Sequence, residues 1–201
     1  MIVTTVLKSG GEYNENHVLN IRKMVEKYVP HDAFICLTDM KPDCTIIPLR
    51  HGWKGWWSKL ELFRLRGPVL YFDLDTIIVK SMAQTIRKAS GKSFVILRDF
   101  YRGERDKKAM QSSVMYWEGD MSAVYTGFFC KYAAHVPDIV EFHGDQNYLE
   151  KAVMNAEYWQ DFTGGIVSYK CDVLMRGLKN GDECIVFHGK PRPWHQQIVP
   201  Y

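Results

Sequence analysis

The chain has 201 residues, a formal net charge of +3, and 46% hydrophobic and 24% charged residues. These are ordinary values for one soluble globular domain, and they leave little room for a second full one. An isoelectric point near 8.5 is too mild to announce nucleic acid, though it admits an anionic ligand such as a nucleotide. No apolar run reaches a membrane span, and the five cysteines are an odd number with no Cys-x-x-Cys pair. Free thiols in a reducing compartment follow, so the expected location is the cytoplasm and structural zinc is not expected.

In chain order, Ile2 to Leu7 reads as a strand that ends at Lys8-Ser9-Gly10-Gly11. Asn16 to Tyr28 carries helical apolar spacing, and Ala33 to Leu37 reads as a second strand, so a βαβ unit opens the chain. Its glycine turn lacks both G-x-G-x-x-G and G-x-x-x-x-G-K, so neither the usual dinucleotide fold nor a P-loop is supported. Ser58 is the expected N-cap of a helix from Lys59 to Leu65, which Gly67-Pro68 ends. One apolar strand then runs from Val69 to Val79. Further strands are expected at Ser93 to Leu97, Ser113 to Trp117, Ile166 to Tyr169 and Cys184 to Phe187, with helices at Met121 to Tyr132 and Gln146 to Asn155. Long loops are expected at Met40 to Trp57 and Asp99 to Gln111. Strands alternating with helices predict a single α/β domain, Rossmann-like, with a mostly parallel sheet flanked by helices.

The feature that points to chemistry is Asp73-Leu74-Asp75 within the apolar run Val69 to Val79. Side chains alternate along a regular strand, so the two carboxylates point the same way. Two buried negative charges need a compensating cation, which makes the pair a half-shell for Mn²⁺ or Mg²⁺ with substrate phosphates completing the coordination. The segment His188-Gly189-Lys190-Pro191 offers a metal-capable imidazole, a glycine for close backbone approach and a cation for a leaving phosphate. Trp53, Trp56 and Trp57 form an aromatic loop able to stack on a base or a sugar, or to serve as core.

Taken in order, these segments resemble the GT-A glycosyltransferases, most closely the family 8 group of glycogenin and the bacterial lipopolysaccharide galactosyltransferases. Lys59 occupies the place of a cationic residue near the donor, and Asp73 and Asp75 match the Asp-x-Asp motif. Gln111-Ser112-Ser113 is similar to a strand that touches the donor sugar, Asp145-Gln146 to the pair beside the reacting carbon, and His188-Gly189-Lys190-Pro191 to the terminal His-x-x-Gly-x-x-Lys-Pro-Trp motif. The His-to-Lys spacing is compressed, and Lys8-Ser9-Gly10-Gly11 replaces an Asp/Asn-rich donor loop.

The resemblance implies a metal-dependent, retaining transferase that moves a hexose from a UDP-sugar to a glycan, protein, small-molecule or modified nucleic-acid acceptor. It implies a nucleotide-binding half, 1–110, and a sugar and acceptor half, 111–201, with Asp145 and Gln146 at the reacting centre and Asp73, Asp75 and His188 on the metal. Donor contacts would come from Leu7, Lys8, Ser9, Tyr13, Lys59, Asp73, Leu74, Gln111, Ser112, Ser113, Gly189 and Lys190. Two rival readings stand beside it. Phe72-Asp73-Leu74-Asp75-Thr76 also resembles the opening motif of haloacid-dehalogenase phosphatases, although that motif normally lies on the first strand. The aromatic and basic loops would also suit a non-catalytic binder of nucleotide sugars or nucleic acid.

Overall fold

The computed structural model describes residues 1–132, 134 and 141–196. Strand β1 (Ile2–Leu7) leads into helix α1 (Glu15–Tyr28), which returns to strand β2 (Ala33–Thr38). Helix α1 starts where Asn14 and His17 cap each other: the Asn14 side chain accepts from the Asn16 N–H, and the His17 ring accepts from the Asn14 N–H. Its buried residues, Val18, Ile21 and Val25, repeat at three and four positions and face the sheet.

Strand β3 (Thr45–Pro48) follows, then a run of 3₁₀ turns over Gly55–Arg64, strand β4 (Arg66–Phe72) and strand β5 (Thr76–Ile78). The remaining elements are α2 (Ala83–Ala89), β6 (Phe94–Arg98), β7 (Met110–Asp120), α3 (Ser122–Tyr132), α4 (Asp145–Ala152), β8 (Glu157–Tyr158), β9 (Ile166–Ser168), a short π-helical turn continuing into α5 (Leu174–Arg176), and β10 (Cys184–Val186).

The main sheet has seven strands in the order β3-β2-β1-β4-β7-β6-β8, and a small sheet has the order β5-β10-β9. In the main sheet only β7 runs antiparallel to its neighbours. A mostly parallel α/β sheet is thus what the chain forms. Successive residues of β4 serve opposite cores: Leu70 and Phe72 pack with α1, while Val69 and Tyr71 pack with the 3₁₀ run, α3 and α4. Burial on both faces is why this strand reads as an unbroken apolar run.

The structure corrects several sequence expectations. The apolar run Val69 to Val79 is two strands in two sheets. At Asp73 the backbone N–H still reaches Ser113 O at 2.8 Å, but the Thr76 N–H turns back to Asp73 O at 3.1 Å, and the chain leaves the main sheet there. The expected α-helix from Lys59 to Leu65 is the 3₁₀ run, and Ser58 does not cap it: its hydroxyl is buried and donates back to Gly55 O at 2.8 Å. Strand β7 extends well beyond Ser113 to Trp117, and α4 starts one residue earlier and stops earlier than Gln146 to Asn155. Strands β3 and β8 and helix α2 were not expected. They are too short for periodicity to speak.

Candidate active site

The parallel strands β1, β2 and β4 end on the same side of the sheet, the edge where open α/β sheets place ligands. A cavity of about 790 Å³ opens there. Its wall gathers the loop after β1 (Lys8, Ser9, Tyr13), the β4–β5 turn (Asp73, Leu74, Asp75), Lys59, Gln111 and Ser113 from β7, Gln146 from α4, and His188, Gly189 and Arg192 from the segment after β10. Both carboxylates face this one cavity, by way of a turn and not by strand alternation.

Each aspartate has its own set of partners. Asp73 Oδ1 meets Lys59 Nζ at 2.7 Å and accepts from the Tyr71 hydroxyl at 2.5 Å, while Oδ2 accepts from the Ser113 hydroxyl at 2.7 Å. Asp75 is almost wholly buried, and its Oδ2 accepts from Tyr13 Oη at 2.9 Å and from Arg192 Nη1 at 2.5 Å. Burial and the neighbouring Asp73 charge push the Asp75 carboxyl up to about 7, against the pull of Arg192. The Tyr13 phenol is raised by burial and by the same two carboxylates.

Behind the wall, Lys59 also reaches Ser112 Oγ at 3.2 Å and lies 3.8 Å from Asp145 Oδ2, which accepts from Ser112 at 2.6 Å. Burial alone would depress the Lys59 ammonium, yet Asp73 and Asp145 hold it above its usual value. Asp145 is raised by burial and is restrained by Lys59 and Ser112. At the other end, Lys8 pairs with Asp39, which also accepts from the Ser9 N–H at 2.8 Å and the Ser9 hydroxyl at 2.6 Å. Those contacts outweigh burial and hold Asp39 down to about 2.

The structure thus brings Lys8, Ser9, Tyr13, Lys59, Asp73, Leu74, Asp75, Gln111, Ser113, Gln146, His188 and Gly189 to one cavity wall. Leu7, Ser112, Asp145 and Lys190 are not part of that wall. Leu7 belongs to the core, Ser112 and Asp145 are buried behind Lys59, and Lys190 is exposed. Arg192 takes the place expected of Lys190. Its guanidinium bridges Asp75 and Glu12, lies 5.3 Å from the Tyr13 ring centre, and leaves Nε buried with no hydrogen-bond partner. The signal was in the sequence: Arg192-Pro193-Trp194 fits the Lys-Pro-Trp end of the terminal motif with Arg for Lys. Gly189, at φ 71°, makes the turn between His188 and this segment.

For a divalent cation, the two carboxylates supply hard oxygen donors beside an incompletely neutralised buried charge, which fits Mn²⁺ or Mg²⁺. His188 stands apart from them. Its Nε2 hydrogen-bonds Ser168 Oγ at 2.7 Å, its ring stacks on Phe100, and burial lowers its basicity. Among the described residues no group of three or more His, Cys, Asp and Glu is arranged around a single metal position. The pair Asp73 and Asp75 therefore fits as half a shell, while His188 Nε2 is engaged by Ser168.

No protein-family model matches the sequence, and no curated protein matches it. Solved structures do match the fold. The galactosyltransferase LgtC, in complex with donor and acceptor sugar analogues, superposes with a TM-score of 0.66 over 98% of this chain and 91% of its own, at 13% identity. The chain has the GT-A glycosyltransferase fold. Structural similarity extends to the glycosyltransferase GlyE of Streptococcus pneumoniae TIGR4, with TM-score 0.66 and 14% identity over 98% of this chain and 57% of that one. It also extends to mouse xyloside xylosyltransferase 1, with TM-score 0.51 and 10% identity over 94% and 97% of the two chains. An active-site mutant of LgtC, Gln replaced by Glu, matches at TM-score 0.66 and 12% identity over 100% of this chain and 92% of that one. No helix among the described residues is long and apolar enough to cross a membrane.

Proposed function

We propose that this chain is a glycosyltransferase that moves a hexose from a UDP-sugar to an acceptor hydroxyl, with retention of configuration and with Mn²⁺ or Mg²⁺ on Asp73 and Asp75. The observation that carries the reading is the Asp73-Leu74-Asp75 turn at the head of a cavity that also holds Lys59, Arg192 and Gln146, in a chain with the fold of known sugar transferases. A divalent cation bound there supplies positive charge at the departing diphosphate. Lys59 and Arg192 add fixed cations beside it.

In the retaining reaction the bond from the anomeric carbon to the diphosphate oxygen breaks, and the acceptor oxygen bonds the same face. The acceptor proton passes to the leaving phosphate. Gln146, on the cavity wall, presents its amide to the developing positive charge; an amide is a poor nucleophile, so its role is electrostatic. Asp145 touches no cavity space and acts as a positioning residue that holds Lys59 through the contacts described above.

The test is a thermal-shift panel of UDP-glucose, UDP-galactose and other nucleotide sugars with and without Mn²⁺, followed by detection of UDP release. Stabilisation by a UDP species that needs Mn²⁺ supports the proposal. No shift with any nucleotide sugar overturns it, as does robust p-nitrophenyl phosphate turnover that Asp73→Asn abolishes.

A further inference from the structure

We propose that the cleft beside the donor cavity seats the acceptor, and that the acceptor is a saccharide bearing a carboxylate or phosphate. This rests on the sugar-transfer reading of the donor cavity. The cleft encloses about 840 Å³, and Gly52, Lys54, Gly55 and Trp56 line both it and the donor cavity, so the two spaces lie side by side. Trp56 marks the junction. It is 55% exposed, yet its indole lies against Gly144, where a Cβ would come within 3.3 Å of Nε1. Gly144 precedes Asp145 and Gln146, so a ring held on Trp56 sits next to the proposed reacting centre.

The cleft is built in advance. Buried Glu61 accepts the backbone N–H groups of Arg50 at 2.7 Å and His51 at 3.0 Å, which fixes the loop. His51 Nε2 hydrogen-bonds Tyr125 Oη at 2.7 Å and its ring stacks on Trp53 with centres 4.3 Å apart. Trp53 and Trp57 are thereby committed to packing, while Trp56 and Phe129 keep open faces. An exposed aromatic face in a polar mouth suits the C–H face of a pyranose.

Charge narrows the class. Arg50 and Lys54 line the cleft, and no Asp or Glu does so among the described residues. A ligand with an anionic substituent matches that lining better than a neutral sugar. Two cations and one open indole are a small footprint for a nucleic-acid strand, which needs a basic track with several stacking platforms.

The indole N–H signals of the six tryptophans give the readout, with Trp56→Phe assigning the relevant one. Glucuronic acid, glucose 6-phosphate and glucose are titrated in turn; the first two separate carboxylate from phosphate as the anion. At least one anionic sugar should move the Trp56 signal at an about tenfold lower concentration than glucose, since one charge-assisted hydrogen bond is worth about that factor. Arg50→Gln should remove the preference and Phe129→Ala should weaken all three sugars. Both residues line the cleft and not the donor cavity, so both variants should keep the Mn²⁺-dependent UDP-glucose thermal shift of the wild type. A Trp56 signal unmoved by either anionic sugar, moved equally by glucose, or moved at lower concentration by a single-stranded oligothymidine overturns the proposal. Loss of the UDP-glucose shift alone, with the Trp56 response intact, would sink the donor reading and leave the saccharide site standing.

Discussion

At Lys59 three acceptors converge, Asp73 at 2.7 Å, Ser112 at 3.2 Å and Asp145 at 3.8 Å. Removing the ammonium strands two carboxylates, one of them almost fully buried. Breaking such a buried pair from one side costs about 3–5 kcal/mol. Lys59→Met should lose stability on that scale by urea denaturation, and Asp145→Asn added to it should recover part of the loss. Additive losses in the double mutant would show that the two groups do not interact. Arg192 makes a separate prediction. If its guanidinium meets the diphosphate, Arg192→Gln should weaken UDP binding by about tenfold or more in calorimetry, the worth of one charge-assisted hydrogen bond; unchanged affinity would remove Arg192 from the donor site. At this scale the sequence was legible where a polar residue interrupts an apolar run, as at Asp73 and Asp75. It was not legible at Glu61, a buried carboxylate that pairs with Arg64 and also takes backbone N–H groups ten and eleven residues away. Nor was it legible at Arg192, where Lys190 stood closer to His188 and drew the motif out of register.

The small sheet holds the second aspartate in place. Strand β5 begins one residue after Asp75 and, among the described residues, pairs only with β10, so the turn leading into β10 bears on the site. Asp182 fixes that turn. It takes both arms of Arg176 at 2.9 and 3.0 Å and the Lys179 N–H at 2.7 Å, and Arg176 above all holds its carboxyl below the usual range. A depressed carboxyl stabilises the fold above the ordinary Asp value, and that contribution fades as pH falls through the folded value. Wild type should therefore exceed Asp182→Asn by about 1–2 kcal/mol at neutral pH. The gap should close as pH falls below about 4. A gap that stays constant down to pH 3 would mean that the ion pair contributes nothing. Elements with strong patterning were read correctly, such as β1, α1 and β2. The Gly55–Arg64 run was not, because Leu60, Leu62 and Phe63 fit 3₁₀ turns as well as an α-helix, and only tertiary packing decides between them.

Across the whole molecule, the halves 1–110 and 111–201 are joined along β4 and β7, where seven residue pairs from Arg66↔Asp120 to Phe72↔Val114 form one continuous ladder. The halves therefore do not open by hinging at the sheet, and a donor bound as proposed would act on the loops that meet above it. Residues 8–13 follow β1 and residues 187–192 follow β10, and Arg192 ties the two loops together through Glu12 and Tyr13. A ligand at one hundred times its dissociation constant adds about 2.7 kcal/mol to the folded state. For a chain of this size that is a rise of about 5–10 °C in melting temperature. Openings that require ligand release should slow by about a hundredfold. Hydrogen exchange with UDP-glucose and Mn²⁺ should thus slow in 8–13 and 187–192 together, although the two segments lie at opposite ends of the sequence. Asp75→Asn should abolish protection in both, since Asp75 meets Tyr13 from one loop and Arg192 from the other. Protection confined to 8–13 would show that the donor rests on the first half alone and that the segment after β10 takes no part in holding it.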